Sequence, residues 1–322
     1  MPNEQLNDLI ASDMLAVDAV IRERLHSEVV LVRQVAEYIV NSGGKRLRPA
    51  LVLLAAGATG YVGTNHHELA AVVEFIHTAT LLHDDVVDES ALRRGRQTAN
   101  AMFGNAASVL VGDFLYTRAF QMMVDVNDMR IMRVLADATN VIAEGEVLQL
   151  MNCHDADVDE ERYLQVIRYK TAKLFEAAAR LGAMLGGRGE DTEVALATYG
   201  MHLGTAFQII DDVLDYSGEE AETGKHLGDD LAEGKPTLPL IHVMRNGIPE
   251  AAALVRDAIE QGGRDQFAAV LAAVRTSGAL ERAREVAAGE AEYARTAISG
   301  LPDSNYKRAL IQLTVFAVGR NH

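Results

Sequence analysis

Almost nothing in this chain stops a helix. Only six of its 322 residues are proline. Two of them, Pro236 and Pro239, share one loop, and a third is residue 2. Between the breakers, apolar residues recur every three or four positions. In residues 68–82, Leu69, Val72, Val73, Ile76, Ala79 and Thr80 fall on one side, the 3.6-residue period of a helix with one buried face. The same pattern predicts helices over 46–58, 105–124, 129–150, 160–185, 193–214, 249–261, 266–276, 279–299 and 303–318. Glycines at 43–44, 60, 186–187, 247, 262–263 and 300 fall where those helices should end. Alternating strand patterns are nearly absent: Leu51-Val52-Leu53-Leu54 runs on into Ala55-Ala56, which favours helix. The chain therefore reads as all-α, a bundle of about a dozen helices. No linker-like stretch and no repeat interrupts it, so residues 1–322 read as one large domain.

Charge narrows the function. With 30 Lys and Arg against 46 Asp and Glu, the formal net charge is −16. A nucleic-acid binder needs a net basic face, so that class is excluded. Hydrophobic residues make up 49% of the chain, enough to bury a core and to exclude global disorder. The single cysteine, Cys153, allows no disulfide framework and reads as a bystander thiol. The N-terminus, Met-Pro-Asn-Glu-Gln-Leu-Asn-Asp, is unlike a signal or transit peptide. The longest charge-free stretches, 49–67 and 194–210, are broken by glycines and by His202 and Gln208. They read as buried helices and not as membrane spans. A cytoplasmic protein is expected.

One pattern occurs twice. Leu81-Leu82-His83-Asp84-Asp85-Val86-Val87-Asp88 and Gln208-Ile209-Ile210-Asp211-Asp212-Val213-Leu214-Asp215 both place Asp-Asp-x-x-Asp after an apolar helical run, 127 residues apart. Residues i and i+4 of a helix share a face about 6 Å apart. Asp84 therefore pairs with Asp88 and Asp211 with Asp215, while Asp85 and Asp212 are rotated by about 100°. Like charges at this spacing destabilise a helix, and the C-terminal dipole disfavours anions. A sequence that accepts this cost twice implies cations. Carboxylates without His or Cys suit hard ions, Mg²⁺ first, and Mg²⁺ bridges carboxylate to phosphate oxygen. A phosphorylated substrate follows.

Basic residues sit beside both motifs. Gly43-Gly44-Lys45-Arg46-Leu47-Arg48-Pro49 sets three cations at a turn-to-helix junction, where free N–H groups favour anions. Arg93-Arg94-Gly95 follows the first motif, Lys170-Thr171 lies within a helix, and residues 224–239, with Lys225 and Lys235, follow the second. In an acidic chain, these clusters indicate two metal and anion sites.

With these residues in place, the chain resembles the trans-isoprenyl diphosphate synthases of the polyprenyl synthetase family nearly end to end. The resemblance is strongest over residues 74–90, Gly112-Asp113-Phe114, Glu144-Gly145-Glu146 and residues 224–239. It implies the isoprenoid-synthase helical fold, a homodimer, and chain elongation. In that reaction an allylic diphosphate loses pyrophosphate, the double bond of isopentenyl diphosphate attacks its C1 cation, and a proton leaves to give a trans double bond. It further implies that Asp84, Asp88 and Asp211 bind about three Mg²⁺, with Asp85, Asp212 and Asp215 supporting. Arg93, Lys170, Lys225 and Lys235 would hold the allylic diphosphate. Gly44, Lys45, Arg48, His77 and Arg94 would hold isopentenyl diphosphate. Thr171 and Gln208 would flank the reacting carbons and steady the cation. Lys170 joins Asp84, Asp85, Asp88, Asp211 and Asp212 as a catalytic candidate. Departing pyrophosphate is the expected base.

Small residues at 79 and 80, where short-chain relatives carry bulky aromatics, imply a long product of about eight isoprene units (C40) for a quinone side chain. Ala79 and Thr80 would line the tunnel, Ile76 lies a turn deeper, and Met122 or Met123 is the candidate floor. The C-terminal Gly319-Arg320-Asn321-His322 is expected to be exposed and to lack the basic tail that short-chain relatives use near the site.

Three alternatives compete. His83-Asp84 also spells the core of the HD phosphohydrolases, but that reading leaves the second acidic motif unexplained. Squalene- or phytoene-type synthases and cyclases share the fold and do not need the element at 43–49. A non-catalytic subunit of a heteromeric synthase would typically have lost acidic motifs that are intact here.

Overall fold

A computed structural model of the chain describes residues 4–40, 43–93, 95–217, 227–262 and 264–320. The order is α1 (Glu4–Arg24), α2 (Val30–Val40), α3 (Leu47–Ala58), α4 (Asn65–Val87), the strands β1 (Leu92–Arg93) and β2 (Arg96–Gln97), α5 (Ala99–Phe103), α6 (Asn105–Val126), α7 (Met129–Asn152) and α8 (Glu160–Ile167). A π-helical segment, Arg168–Ala172, leads into α9 (Lys173–Gly186), followed by α10 (Glu190–Ser217), α11 (Asp229–Ala232), α12 (Leu238–Asn246), α13 (Pro249–Gln261), α14 (Phe267–Thr276), α15 (Ala279–Ala297) and α16 (Asn305–Gly319).

The all-α class is as the periodicity predicts. Among the described residues five helices go beyond it: α1, α2, the short α5 and α11, and α12. The last was hidden by Pro236 and Pro239, yet Pro239 occupies the first turn of α12, where its missing N–H costs nothing. The helix expected over 160–185 is interrupted by the π segment. The sole sheet among the described residues is the antiparallel β1–β2 hairpin, with Leu92 opposite Gln97 and Arg93 opposite Arg96. Among the described residues no helix is long and apolar enough to cross a membrane.

The chain divides into two compact units. The first comprises residues 1–139, 174–200 and 297–313. Its core is built on α3 and α4: residues 50–56 and 69–73 are buried without interruption, as are Phe75, Ile76 and Ala79. Helix α4 packs most extensively on α6, then on α3 and α1. The second unit comprises residues 140–173, 201–296 and 314–322. Its core sets Ile209, Ile210, Val213 and Tyr216 of α10 among Ile241, Val255, Ile259 and Val274. Each unit carries one Asp-Asp-x-x-Asp motif.

Candidate active site

In the first unit the acidic motif ends α4. Asp84 and Asp85 lie in the last turn and Asp88 is the C-cap, its N–H bonded to the Asp84 carbonyl at 2.8 Å. The rotation read from the sequence separates the three carboxylates: Asp84 and Asp88 are half-buried and Asp85 fully buried. The hairpin brings Arg93 to Asp85. Arg93 on β1 donates from Nε at 2.8 Å and from Nη2 at 2.7 Å to the same Asp85 oxygen, Oδ1. The other oxygen, Oδ2, is buried and has no hydrogen-bond partner among the described residues. Asn100 ties the motif's backbone to the following turn, donating to the carbonyls of Asp85 (3.0 Å) and Ser90 (3.2 Å).

The basic cluster at 43–49 opens α3. Gly43 holds φ +78°, left-handed backbone that a side chain would strain. The three cations of that cluster separate. Arg46, itself left-handed at φ 49°, turns back to Glu74 at 3.4 Å and Asp18 at 3.8 Å. Arg48 stacks over the Phe175 ring at 4.6 Å and donates from Nη1 to His77 Nε2 at 3.2 Å. Lys45 is half-buried at the turn. Gly43, His77, Asp85 and Arg93 line one pocket of this unit, with Tyr38 and Thr98. His83 points elsewhere: its Nε2 meets the Val109 carbonyl at 3.2 Å and Asp113 at 3.4 Å on α6. A Cβ at Gly112 would lie 2.3 Å from that nitrogen, so the glycine of Gly112-Asp113-Phe114 is what admits the ring. A His83–Asp84 metal pair of the HD type is not what this geometry offers.

In the second unit the motif lies near the end of α10. Its middle carboxylate, Asp212, is again buried, but its partners are neutral. Tyr163 donates to Oδ2 at 2.6 Å and Gln208 to Oδ1 at 2.8 Å; Thr171 in turn donates to the Gln208 carbonyl at 3.0 Å. Burial, then the charge of Asp230, pushes the Asp212 carboxyl well above the usual range, and the two hydrogen bonds pull it back. Burial and the Asp212 charge raise the Tyr163 phenol in the same way. Asp215 accepts from the backbone N–H of Gly228 at 3.1 Å and of Asp230 at 3.3 Å, capping α11.

Lys170 and Thr171 sit in the π segment. A π turn widens the helix by one residue and is frequent at functional sites. Here it lies against α7, where a Cβ at Gly145 would come within 2.6 Å of the Lys170 backbone nitrogen. Lys170 Nζ reaches Glu146 Oε2 at 2.5 Å, and Lys235 pairs with Glu233. Thus Gly145 and Glu146 of the Glu144-Gly145-Glu146 motif serve the lysine, while Glu144 faces solvent. The tunnel candidates Ile76 and Ala79 on α4 and Met122 and Met123 on α6 are buried, and the two helices pack on each other. Thr80 is half-buried and bonds the His77 carbonyl at 2.9 Å. It lies within about 40° of Asp84 around the helix, whereas Ala79 is about 140° away.

Arg94 and Lys225 lie outside the described residues. Two partners are invisible in the sequence reading: Tyr163, and Arg320. Of the C-terminal residues expected to be exposed, Gly319 is and Arg320 is not; Asn321 and His322 lie outside the described residues. Arg320 is buried over the Phe207 ring at 3.8 Å, and its Nη2 meets Asp211 Oδ1 at 2.7 Å. Its guanidinium lies flat on an aromatic face while its tip reaches a half-buried carboxylate.

A sequence profile described as "Polyprenyl synthetase" matches residues 29–274. The chain belongs to the polyprenyl synthetase family. Within it, the chain is 56% identical to the octaprenyl diphosphate synthase of Escherichia coli (strain K12), over 99% of both chains. It is 49% identical to the all-trans-nonaprenyl-diphosphate synthase (geranyl-diphosphate specific) of Rhodobacter capsulatus, over 97% of this chain and 96% of that one. The crystal structure of a polyprenyl synthase from Caulobacter crescentus, complexed with calcium and isoprenyl diphosphate, superposes with a TM-score of 0.96 at 44% identity, covering 99% and 98% of the two chains.

Proposed function

We propose that this chain is a trans-prenyltransferase that elongates an allylic diphosphate, farnesyl diphosphate first, by repeated head-to-tail condensation with isopentenyl diphosphate. Each cycle releases pyrophosphate. The product is a long all-trans polyprenyl diphosphate of about eight isoprene units, in line with the octaprenyl relatives, and it feeds a quinone side chain. The carrying observation is the same arrangement made twice: a buried, partnered middle aspartate that fixes a helix end, with half-buried carboxylates beside it.

The donor set fits Mg²⁺. Asp84, Asp88 and Asp211 offer hard oxygen ligands with no nitrogen or sulfur. Asp85 holds an oxygen, Oδ2, that no donor among the described residues satisfies. About three Mg²⁺ would neutralise the charge that develops on departing pyrophosphate. Asp85, Asp212 and Asp215 keep the ligands aimed: Arg93 clamps the first, Tyr163 and Gln208 the second, and the α11 N-terminus the third.

Arg93, Lys170, Lys225 and Lys235 neutralise the allylic diphosphate. Arg93 and Lys170 are preorganised for this by Asp85 and Glu146. Gly44, Lys45, Arg48, His77 and Arg94 hold isopentenyl diphosphate, the Arg48–His77 contact setting the guanidinium. The hydrogen bond from Thr171 leaves the Gln208 carbonyl one lone pair for the positive carbon. The apolar face of α4 excludes water from that carbon. Ile76, Ala79, Thr80, Met122 and Met123 line or close the tunnel. The chain acts in the cytoplasm as a homodimer of a single 1–322 catalytic domain.

The test is product sizing. Farnesyl and isopentenyl diphosphates with Mg²⁺ should give a product of about eight isoprene units, with pyrophosphate released only when isopentenyl diphosphate is present. Pyrophosphate release without it, or no elongation, overturns the reading.

A further inference from the structure

At the opposite end of α4 from the acidic motif, three metal-ligating side chains from two helices converge. His66 and His67 lie in the first turn of α4, and Asp13 comes from α1. The Nε2 atoms of His66 and His67 stand 3.4 and 2.9 Å from the same oxygen, Asp13 Oδ1. Their rings lie side by side, centroids 3.9 Å apart and tilted by 37°. Consecutive helical residues point about 100° apart, so two adjacent imidazoles aimed at one point are not a product of helix geometry alone. Among the described residues no other group of three or more His, Cys, Asp or Glu side chains brings its ligand atoms within 4.8 Å of one another.

The surroundings sharpen this. The three side chains are between 13% and 29% exposed, open enough for an ion to enter and to keep a water. The Tyr61 ring packs edge-on against His66 at 5.4 Å and fixes its plane. The His66 Nδ1 atom is buried and has no hydrogen-bond partner among the described residues. The next carboxylate, Glu68, is taken by Arg24 at 2.5 Å and lies outside the set. The positive end of the α4 dipole favours the Asp13 carboxylate there.

We propose that Asp13, His66 and His67 form a second metal site, for a borderline transition-metal dication of the Zn²⁺ class. Two imidazoles and one carboxylate are three of the four ligands that such an ion takes, with water as the fourth. The nitrogen donors select against Mg²⁺, which demands oxygen. Binding replaces any Nε2 protons, which pass to solvent. His67 and Asp84 are 17 residues apart on one helix, about 26 Å, so the ion takes no part in diphosphate chemistry. It cross-links α1 to α4 instead.

The test uses untagged full-length protein in buffer with excess Mg²⁺. Zn²⁺ titration, read by calorimetry and by metal content after dialysis, should give one tight site per chain. Asp13→Asn and His67→Gln should each weaken it at least about tenfold while leaving prenyl transfer at wild-type rate. Asp84→Ala should retain the site. Should either first variant fail to fold, Co²⁺ added to the wild-type protein must broaden the ring resonances of His66 and His67 before those of other histidines. Zn²⁺ affinity unchanged in His67→Gln, a site lost in Asp84→Ala, or Co²⁺ without effect on the two rings would each overturn the proposal.

Discussion

The two acidic motifs are written alike and stabilised differently. Both bury their middle aspartate, the expensive part of the pattern, since a buried carboxylate needs compensation. In the first unit the compensation is a cation: Arg93, delivered by a two-residue strand within ten residues of the motif. In the second it is a pair of neutral donors, Tyr163 and Gln208, the former 49 residues away in sequence. The first solution keeps charge balanced locally. The second leaves a carboxyl whose charge is disfavoured by burial and by Asp230. A repeated motif thus specifies where carboxylates go, and the tertiary neighbourhood decides how each is held.

The largest effect should come where the motifs are equivalent. Asp84→Ala and Asp211→Ala should each lower turnover by about a hundredfold to a thousandfold, the scale of removing a transition-state charge partner. Steady-state kinetics at saturating Mg²⁺ read this, and near-wild-type turnover in one of the two would break the equivalence. Next comes the place where the motifs differ. Asp85→Asn strands the Arg93 cation and should cost about 3 kcal/mol of stability. Asp212→Asn keeps a neutral acceptor for Tyr163 or Gln208 and should cost about 1 kcal/mol. Urea unfolding of both variants decides, and equal losses would erase the distinction.

A third pair separates length from rate. Ala79→Tyr, in the first unit, should shorten the product to three or four isoprene units, about half the native length, while isopentenyl diphosphate is still consumed. Thr171→Val, in the second unit, should keep product length and slow turnover about fivefold, one lost hydrogen bond. Chromatographic sizing beside initial rates tests both; an unchanged long product from folded Ala79→Tyr would remove Ala79 from the tunnel. The smallest effect belongs to Arg320→Ala. Releasing Asp211 from a partly exposed ion pair should lower the Mg²⁺ concentration for half-maximal activity by about two- to fivefold, with the first motif unaffected.

Much of this was legible before any coordinates. The 3.6-residue period located α4 and α10, and the i, i+4 spacing set Asp85 and Asp212 at a different angle from the outer carboxylates; their burial is seen only in the structure. The periodicity of 105–124 and 249–261 gave helices whose ends moved by two residues or none. What escaped depended on contacts remote in sequence. Nothing near Tyr163 marks it as the donor to Asp212, because its position reads as an ordinary buried aromatic on an amphipathic helix. Arg320 reads in the sequence as part of an exposed C-terminus, and its packing against Phe207 carries it to Asp211. The separation of Arg46 from Lys45 and Arg48 follows from its left-handed backbone and from Glu74, neither of which a cluster of basic letters discloses.

The π segment has a consequence for how this protein can change over time. A π turn is an α-helix carrying one residue too many, so Lys170 and Thr171 owe their directions to a single insertion between α8 and α9. Deleting one residue from 168–172 would restore an ordinary helix and turn everything on one side of it by about 100° against the other. The lysine–glutamate and threonine–glutamine contacts would fall out of phase together. Point substitutions can tune these two side chains one at a time, but a change of length at this position moves both at once. Relatives that keep the chemistry are therefore expected to tolerate insertions in loops far more readily than any change in residue count between Tyr163 and Phe175.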